Sequence, residues 1–439
     1  MYDLIIKNAR ILLFGNIFKG AIVVKNGKIS RIARNFSDNS AKVIDAKENF
    51  LLPGAIDVHV HFRDFEEKHK EDWFTGSKAA AAGGVTTVLD MPNNKPPITN
   101  IKNLEKKRKL AAKRSIVDFG FHFAATSENL ESIKKVKNVA SVKFYMGTTT
   151  NDLLIREAEI FEYFKILAKK KIPATIHCED EQMLQYYKEK ILKFQKDDAI
   201  AYADSRPNIC ASSAMNKIIY FSKFSKTKVH FCHVSTSEEI DLLRRHPFFW
   251  LSAEATPHHL FLTRKDLKKL GTFAKMNPPL RSEKDREELW DAINKNLIKI
   301  IATDHAPHLK EEKSKGIWDA PAGVPGVETM LPLLLNEVSK GNLSLQKLVK
   351  LISENPAKVF SIRGKGKIQE GYDADLLIVD MKIKRKINAE KLFTKCKWSP
   401  FEGLTVKGMV IKTFIRGNLV FDNGETLKNS GKEVKFMKK

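Results

Sequence analysis

The chain has 439 residues, 43% hydrophobic and 9% aromatic, enough for one large domain of about 250–300 residues beside a smaller one, so a globular enzyme is the default. Its net charge of +24 comes from 76 basic against 52 acidic residues. The lysines are spread along almost every predicted helix, as in Lys102–Lys113 and Lys165–Lys171, without interleaved aromatics. That excludes nucleic acid as the main partner and leaves solvated surfaces, with a field that would concentrate an anionic substrate as a secondary effect.

In chain order, the first fifty residues predict short strands and tight turns. Asp3-Leu-Ile-Ile-Lys-Asn8 alternates weakly, and Ala21-Ile-Val-Val24 precedes Asn26-Gly27, a strong hairpin signal. The middle then alternates strands with amphipathic segments. Eight apolar runs are expected as strands: Ala55–Phe62, Val85–Met91, Val117–Phe123, Ser141–Met146, Pro173–Cys178, Lys228–Val234, Phe249–Ala255 and Lys299–Thr303. Eight such units predict an α/β fold, a (β/α)8 TIM-like barrel, over residues 53–360. A doubly wound sheet is the alternative, but no glycine-rich phosphate loop follows the first strand. The last seventy residues return to strands, Ala374–Asp380 and Gly408–Gly417, and then Asn423-Gly424. Residues 1–52 and 361–439 are therefore expected to pair into one small β-sandwich domain.

No apolar run reaches the roughly 18 residues of a membrane helix, and Met1-Tyr2-Asp3-Leu4 lacks a basic signal-peptide start. A cytoplasmic protein without membrane partners is expected. Cys178, Cys210, Cys232 and Cys396 form no C-x-x-C pair and read as small buried residues rather than a disulfide framework.

Chemistry gathers at the C-terminal ends of the predicted strands, where the βα loops of a barrel converge. Strand one ends Asp57-Val-His59-Val-His61-Phe-Arg63-Asp64, and the i, i+2 spacing puts His59 and His61 on one face, as two neutral imidazoles for a metal require. Strand five ends at His177, strand six at His233, and strand eight at Thr303-Asp304-His305-Ala-Pro-His308. A lone H-x-H is weak, but five candidate ligands on four strand ends (His59, His61, His177, His233, Asp304) are enough for two metals. His230, three residues before His233, is expected to point outward toward a helix. Lys143 lies inside the apolar run Ser141–Met146, where a charged amine is costly; taken alone it reads as a snorkelling or ion-paired side chain. Arg63 shares a face with His61 and can hold a carboxylate through two hydrogen bonds. A salt bridge to Asp64 is its bland alternative, and a plain turn role that of Asn93, between Pro92 and Pro96.

Together, Asp57–Asp64, Met91-Pro-Asn-Asn94, Lys143, His177, His233 and Thr303–His308 resemble the dihydroorotase branch of the amidohydrolase superfamily over nearly the whole chain. The resemblance implies a binuclear zinc centre, with His59, His61 and Asp304 on one ion and His177 and His233 on the other. Lys143 matches the position at which some members carry a metal-bridging carbamate formed with CO2; others use an aspartate. It implies reversible cyclisation of N-carbamoyl-L-aspartate to (S)-dihydroorotate, in pyrimidine biosynthesis, with a metal-bridging hydroxide as nucleophile and Asp304 as general base and then acid. Arg63 and Asn93 match substrate-carboxylate contacts, Asn277 and His308 further substrate contacts, and Gly323 a substrate-facing loop. Homo-oligomers are common among such relatives, and association with an aspartate carbamoyltransferase is compatible with activity. The alternatives are another cyclic amidohydrolase (hydantoinase, dihydropyrimidinase or allantoinase) and a scaffold that has lost catalysis. The charged segment Leu309–Gly316 is expected to be a mobile loop near the site.

Overall fold

The computed structural model describes residues 1–13, 15–38, 41–149, 153–427 and 430–437. The eight apolar runs become strands Ala55–Val60, Val85–Asp90, Asp118–Ala124, Ser141–Tyr145, Ala174–His177, Val229–Phe231, Leu251–Ala255 and Ile300–Ile301, paired in that order. The pairing is parallel throughout, and every residue in these strands is buried. Burial on both faces explains why the runs are apolar without alternation. Strand eight meets strand one through a bridge between Val60 and His305. A side chain helps to close this seam, because Thr303 donates from its backbone N and its Oγ1 to the Asp57 carboxylate at 3.1 and 2.5 Å. The result is a (β/α)8 barrel.

The two chain ends share one nine-stranded sheet, in which Leu376–Lys386 pairs antiparallel with Phe50–Pro53. Period-two alternation sorts its side chains. Leu376 and Ile378 join Leu4, Ile6, Ile22 and Phe414 in the sheet's own core, while Leu377 and Val379 pack into the core shared with the barrel helices. The Asn26-Gly27 signal is realised as a two-residue turn between Lys25 and Lys28, with φ of 53° and 73° at its two residues. That twist requires left-handed backbone at both central positions, which Asn and Gly tolerate best.

Residues 430–437 leave the sheet and run under the barrel. Val434 and Phe436 join Ile56, Val58, Leu89, Ala140, Ile300 and Phe360 in the cluster that closes its lower end. Gly120 permits this approach, since a Cβ there would lie 2.8 Å from the Phe436 ring. Among the described residues no helix is long and apolar enough to cross a membrane, and all four cysteines are free and buried.

One lysine of the 102–113 series departs from the solvated reading. Lys107, on helix Ile101–Arg114, is fully buried and pairs with Asp90 at 2.5 Å. It also donates to the Met91 carbonyl and to Asn94 Oδ1 at 2.6 and 2.8 Å. Asn94 in turn donates to the Arg63 carbonyl. The Met91–Asn94 motif is thus a loop fastened from below by a helix lysine.

Candidate active site

Strand ends deliver His59, His61, Lys143, His177, His233 and Asp304 to one cavity, whose wall also includes Arg63, Asn93, Asn277 and Gly323. His59 Nε2 and His61 Nε2 lie 3.1 and 2.9 Å from Asp304 Oδ1. Opposite them, His177 Nδ1 and His233 Nε2 face each other at 3.0 Å. Lys143 Nζ is 2.8 Å from Cys232 Sγ and stands 5.1 Å over the Tyr145 ring. Backbone at the site is strained, with φ of 51° at Arg63, 34° at His233 and 47° at Asp304; such conformations persist where surrounding contacts over-determine them.

The far side of each imidazole decides which nitrogen is available. His59 Nδ1–H donates to Glu254 at 2.5 Å, His61 Nδ1–H to Asn93 Oδ1 at 2.6 Å, and His177 Nε2–H to Glu179 at 2.9 Å. These bonds leave lone pairs on His59 Nε2, His61 Nε2 and His177 Nδ1, all directed into the cavity. Burial pushes Asp304 up, but His59 and His61 outweigh it and hold the carboxyl well below its usual range. Burial also drives His233 well below the usual histidine value, reinforced by His177. Burial likewise lowers His61 and His177, whereas at His59 burial is outweighed by Asp304 and Glu254, which raise the imidazole well above the usual value. Imidazoles beside an ionised carboxylate, three of them with an outer N–H anchored, are the donor set of a divalent metal, which would take the place of the His59 proton. His177 Nδ1 and His233 Nε2 can share one proton between them or both turn to a cation, while His233 Nδ1 has no partner among the described residues. The residues present therefore fit metal binding.

Arg63 is 3% exposed, and its Nε donates to the Pro307 carbonyl at 3.2 Å. No bridge to Asp64 forms; that carboxylate caps backbone N–H groups of Phe65 and Trp73 and pairs with Arg114. His308 is not on the cavity wall. It packs behind Arg63, 3.0 Å from Nη2, and reaches the Ala322 carbonyl at 3.1 Å. Asn93 serves both the wall and His61, so it is more than a turn residue. Asn277 Oδ1 accepts from Tyr202.

Two expectations fail. His230 faces the barrel interior below the site, stacked edge-on against Phe360, and donates to Glu254 at 2.9 Å. Counting in twos from His230 to His233 misleads because the strand ends at Phe231 and the backbone turns left-handed at His233. The 309–316 segment is not a loose loop: Lys310–Lys313 is a helical turn, and Lys313 is fully buried.

Residues missed from sequence include Glu254, Glu179, Tyr145 and Thr149. Glu254 is a carboxylate inside the buried strand Leu251–Ala255, and Glu179 follows His177 by two and is paired with Arg206 at 2.6 Å. A charged residue inside an apolar strand was the signal for Glu254, whereas Glu179 lies just past the end of its strand, Ala174–His177.

Residues 50–420 match the amidohydrolase family. The chain is similar to proteins named dihydroorotase from Methanosarcina mazei (42% identical, over 92% of this chain and 91% of that one) and Pyrococcus abyssi (40%, 95% of each). Its fold resembles the L-hydantoinase (dihydropyrimidinase) of Arthrobacter aurescens, with a TM-score of 0.95 at 33% identity, covering 99% of this chain and 100% of the other. It also resembles the dihydropyrimidinase of Brevibacillus agri, with a TM-score of 0.92 at 26% identity over the whole of both chains. The chain belongs to the amidohydrolase family, and within it to the dihydroorotases.

Proposed function

We propose that this chain is a zinc-dependent dihydroorotase that interconverts N-carbamoyl-L-aspartate and (S)-dihydroorotate. Arg63 carries the reading: a buried guanidinium, fixed by Pro307 and flanked by His308, on the wall of a cavity lined with metal donors. Dihydroorotate is dihydrouracil with one added carboxylate, a group that the five-membered hydantoin ring also lacks, and a fixed guanidinium is the group that selects for it.

His59, His61 and Asp304 would hold one ion and His177 and His233 a second, with Lys143, as a carbamate, a further ligand. Metal bound there supplies Lewis acidity and acidifies water toward neutral pH. Asp304 Oδ1 would take a proton from the attacking water and return it to the ring nitrogen as the amide C–N bond breaks. Arg63, Asn93 and Asn277 would orient the ring, with His308 acting through Arg63 and Gly323 admitting the substrate close to backbone. Free, buried cysteines suit a reducing, cytoplasmic setting.

The near-complete overlap with the L-hydantoinase supports a second reading, hydrolysis of a neutral cyclic amide. Spectrophotometric turnover of dihydroorotate, hydantoin, dihydrouracil and allantoin by the zinc-loaded protein separates the two. Dihydroorotate alone should react, and Arg63→Ala should lower its kcat/KM by about 10²-fold or more. Turnover of neutral rings, indifferent to Arg63→Ala, would transfer the assignment to the second reading.

A further inference from the structure

The Lys-Glu-Glu-Lys run at 310–313 has no place in the chemistry above, yet its last residue is among the most buried side chains of the molecule. Lys313 Nζ donates to three carbonyls: Lys275 at 3.1 Å, Pro321 at 2.9 Å and Gly323 at 3.0 Å. An ammonium has three N–H donors and no acceptor, so three carbonyls satisfy it without any carboxylate. A second lysine repeats the device one layer out. Lys275 Nζ reaches the carbonyls of Ile317 and Ala320 at 2.5 Å each, with that of Trp318 at 3.4 Å.

Apart from that of Lys275, these carbonyls belong to residues 317–323, a segment that walls the cavity. Ala322 and Gly323 line it from one side and Asn277, two residues past Lys275, from another. The two pieces are also joined directly, Gly323 N–H donating to the Lys275 carbonyl at 2.9 Å. Gly323 has φ of 138° and is wedged so closely against Ala306 that a Cβ would lie 2.6 Å from its carbonyl oxygen. The wall therefore has no side chain of its own to anchor it at Gly323, and its carbonyls, turned away from solvent, need donors.

We propose that Lys313 and Lys275 are positioning residues for substrate binding: by gathering the inward-facing carbonyls of residues 317–323 they hold Ala322, Gly323 and Asn277 as a rigid wall against the substrate ring. Neither lysine touches the metal donors. Their loss should therefore weaken substrate binding and spare the metal centre. The inference rests on the dihydroorotase reading for its substrate, but the state of the wall can be read without turnover.

The test compares wild type with Lys313→Met and Lys275→Met in the full-length, zinc-loaded protein. Three readouts are taken: steady-state kinetics with dihydroorotate, bound zinc, and hydrogen–deuterium exchange of peptides spanning 275–277 and 317–324. Stranding buried carbonyls should raise KM about tenfold or more with kcat within about threefold, because binding rather than the reacting bond is affected. Zinc content should equal wild type, and faster exchange should be confined to the two segments. An unchanged KM, whatever happens to melting temperature, would overturn the proposal, as would a loss of zinc that parallels the rise in KM. If Lys313→Met does not fold, Lys275→Met decides, since its amine lies nearer the surface. If the wild type does not process dihydroorotate at all, the proposed function fails, and exchange alone judges the wall: unchanged protection in both variants refutes it.

Discussion

Two buried ionic clusters sit at opposite ends of the barrel, and they are built on opposite principles. At the lower end, Asp118, at the start of the third barrel strand, gathers with Asp373 and Asp375 around Lys365, whose Nζ lies 2.6, 3.2 and 2.5 Å from them. Arg416 and the Lys432 amide complete the cluster. Every acid has a cation, so the cluster closes on itself and ties barrel, sheet and C-terminal tail together. At the upper end, His59, His61 and Asp304 face His177 and His233 across the cavity, with no lysine or arginine ion-paired to Asp304 among the described residues. His233 Nδ1 has no partner among the described residues. A set of three ligand atoms close in space is found in both places, so proximity alone does not separate them. The supply of protein cations does: a cluster that neutralises itself is a joint, and one that leaves donors unmatched is built for a ligand.

The sharpest way to break this comparison is Asp304→Ala. It should abolish turnover by about 10³-fold or more while the melting temperature stays close to wild type, because the upper cluster serves chemistry. Retained turnover would show that the chemistry does not need Asp304 and that the upper cluster, like the lower, is a joint. Lys365→Met should do the reverse. Stranding three buried or half-buried carboxylates should cost about 3–5 kcal/mol of unfolding free energy, seen in urea titration, with kcat of the folded fraction unchanged. An unaltered urea midpoint would show that Arg416 suffices to hold the joint.

A third case sharpens the contrast more gently. Glu328 is a half-buried carboxyl on the wall of a second cavity, with no close cation among the described residues, and desolvation pushes it up to about 8, opposed by the Phe393 N–H and more weakly by Lys397. Its folded-state value lies above its unfolded value near 4.5, so the stability it contributes is full below that and is lost as pH rises through about 8. Glu328→Gln keeps the acceptor for Phe393 N–H and does not titrate. Its melting temperature should gain on wild type by a few degrees between pH 5 and about 8.5, on the order of 2 °C per kcal/mol. Parallel curves would show that the carboxyl is relaxed by water.

What the sequence determined was the set of strands and the identity of the donors. Apolar runs of four to eight residues separated by amphipathic stretches can satisfy both faces only as a parallel sheet under helices, and polar residues at their C-terminal ends must then meet. His59, His61, His177, His233 and Asp304 were legible for that reason, as were the turns at Asn26-Gly27 and Asn423-Gly424. Only the tertiary structure decided how those donors are aimed and who holds them. Glu254 links His59 to His230 from 195 and 24 residues away, a relation no local period contains. Lys107 and Lys313 look like surface lysines in a lysine-rich chain and are instead among its most buried side chains. A lysine's place is set by whether carbonyls or a carboxylate await its ammonium in three dimensions, and the residues on either side of it in the chain do not carry that information.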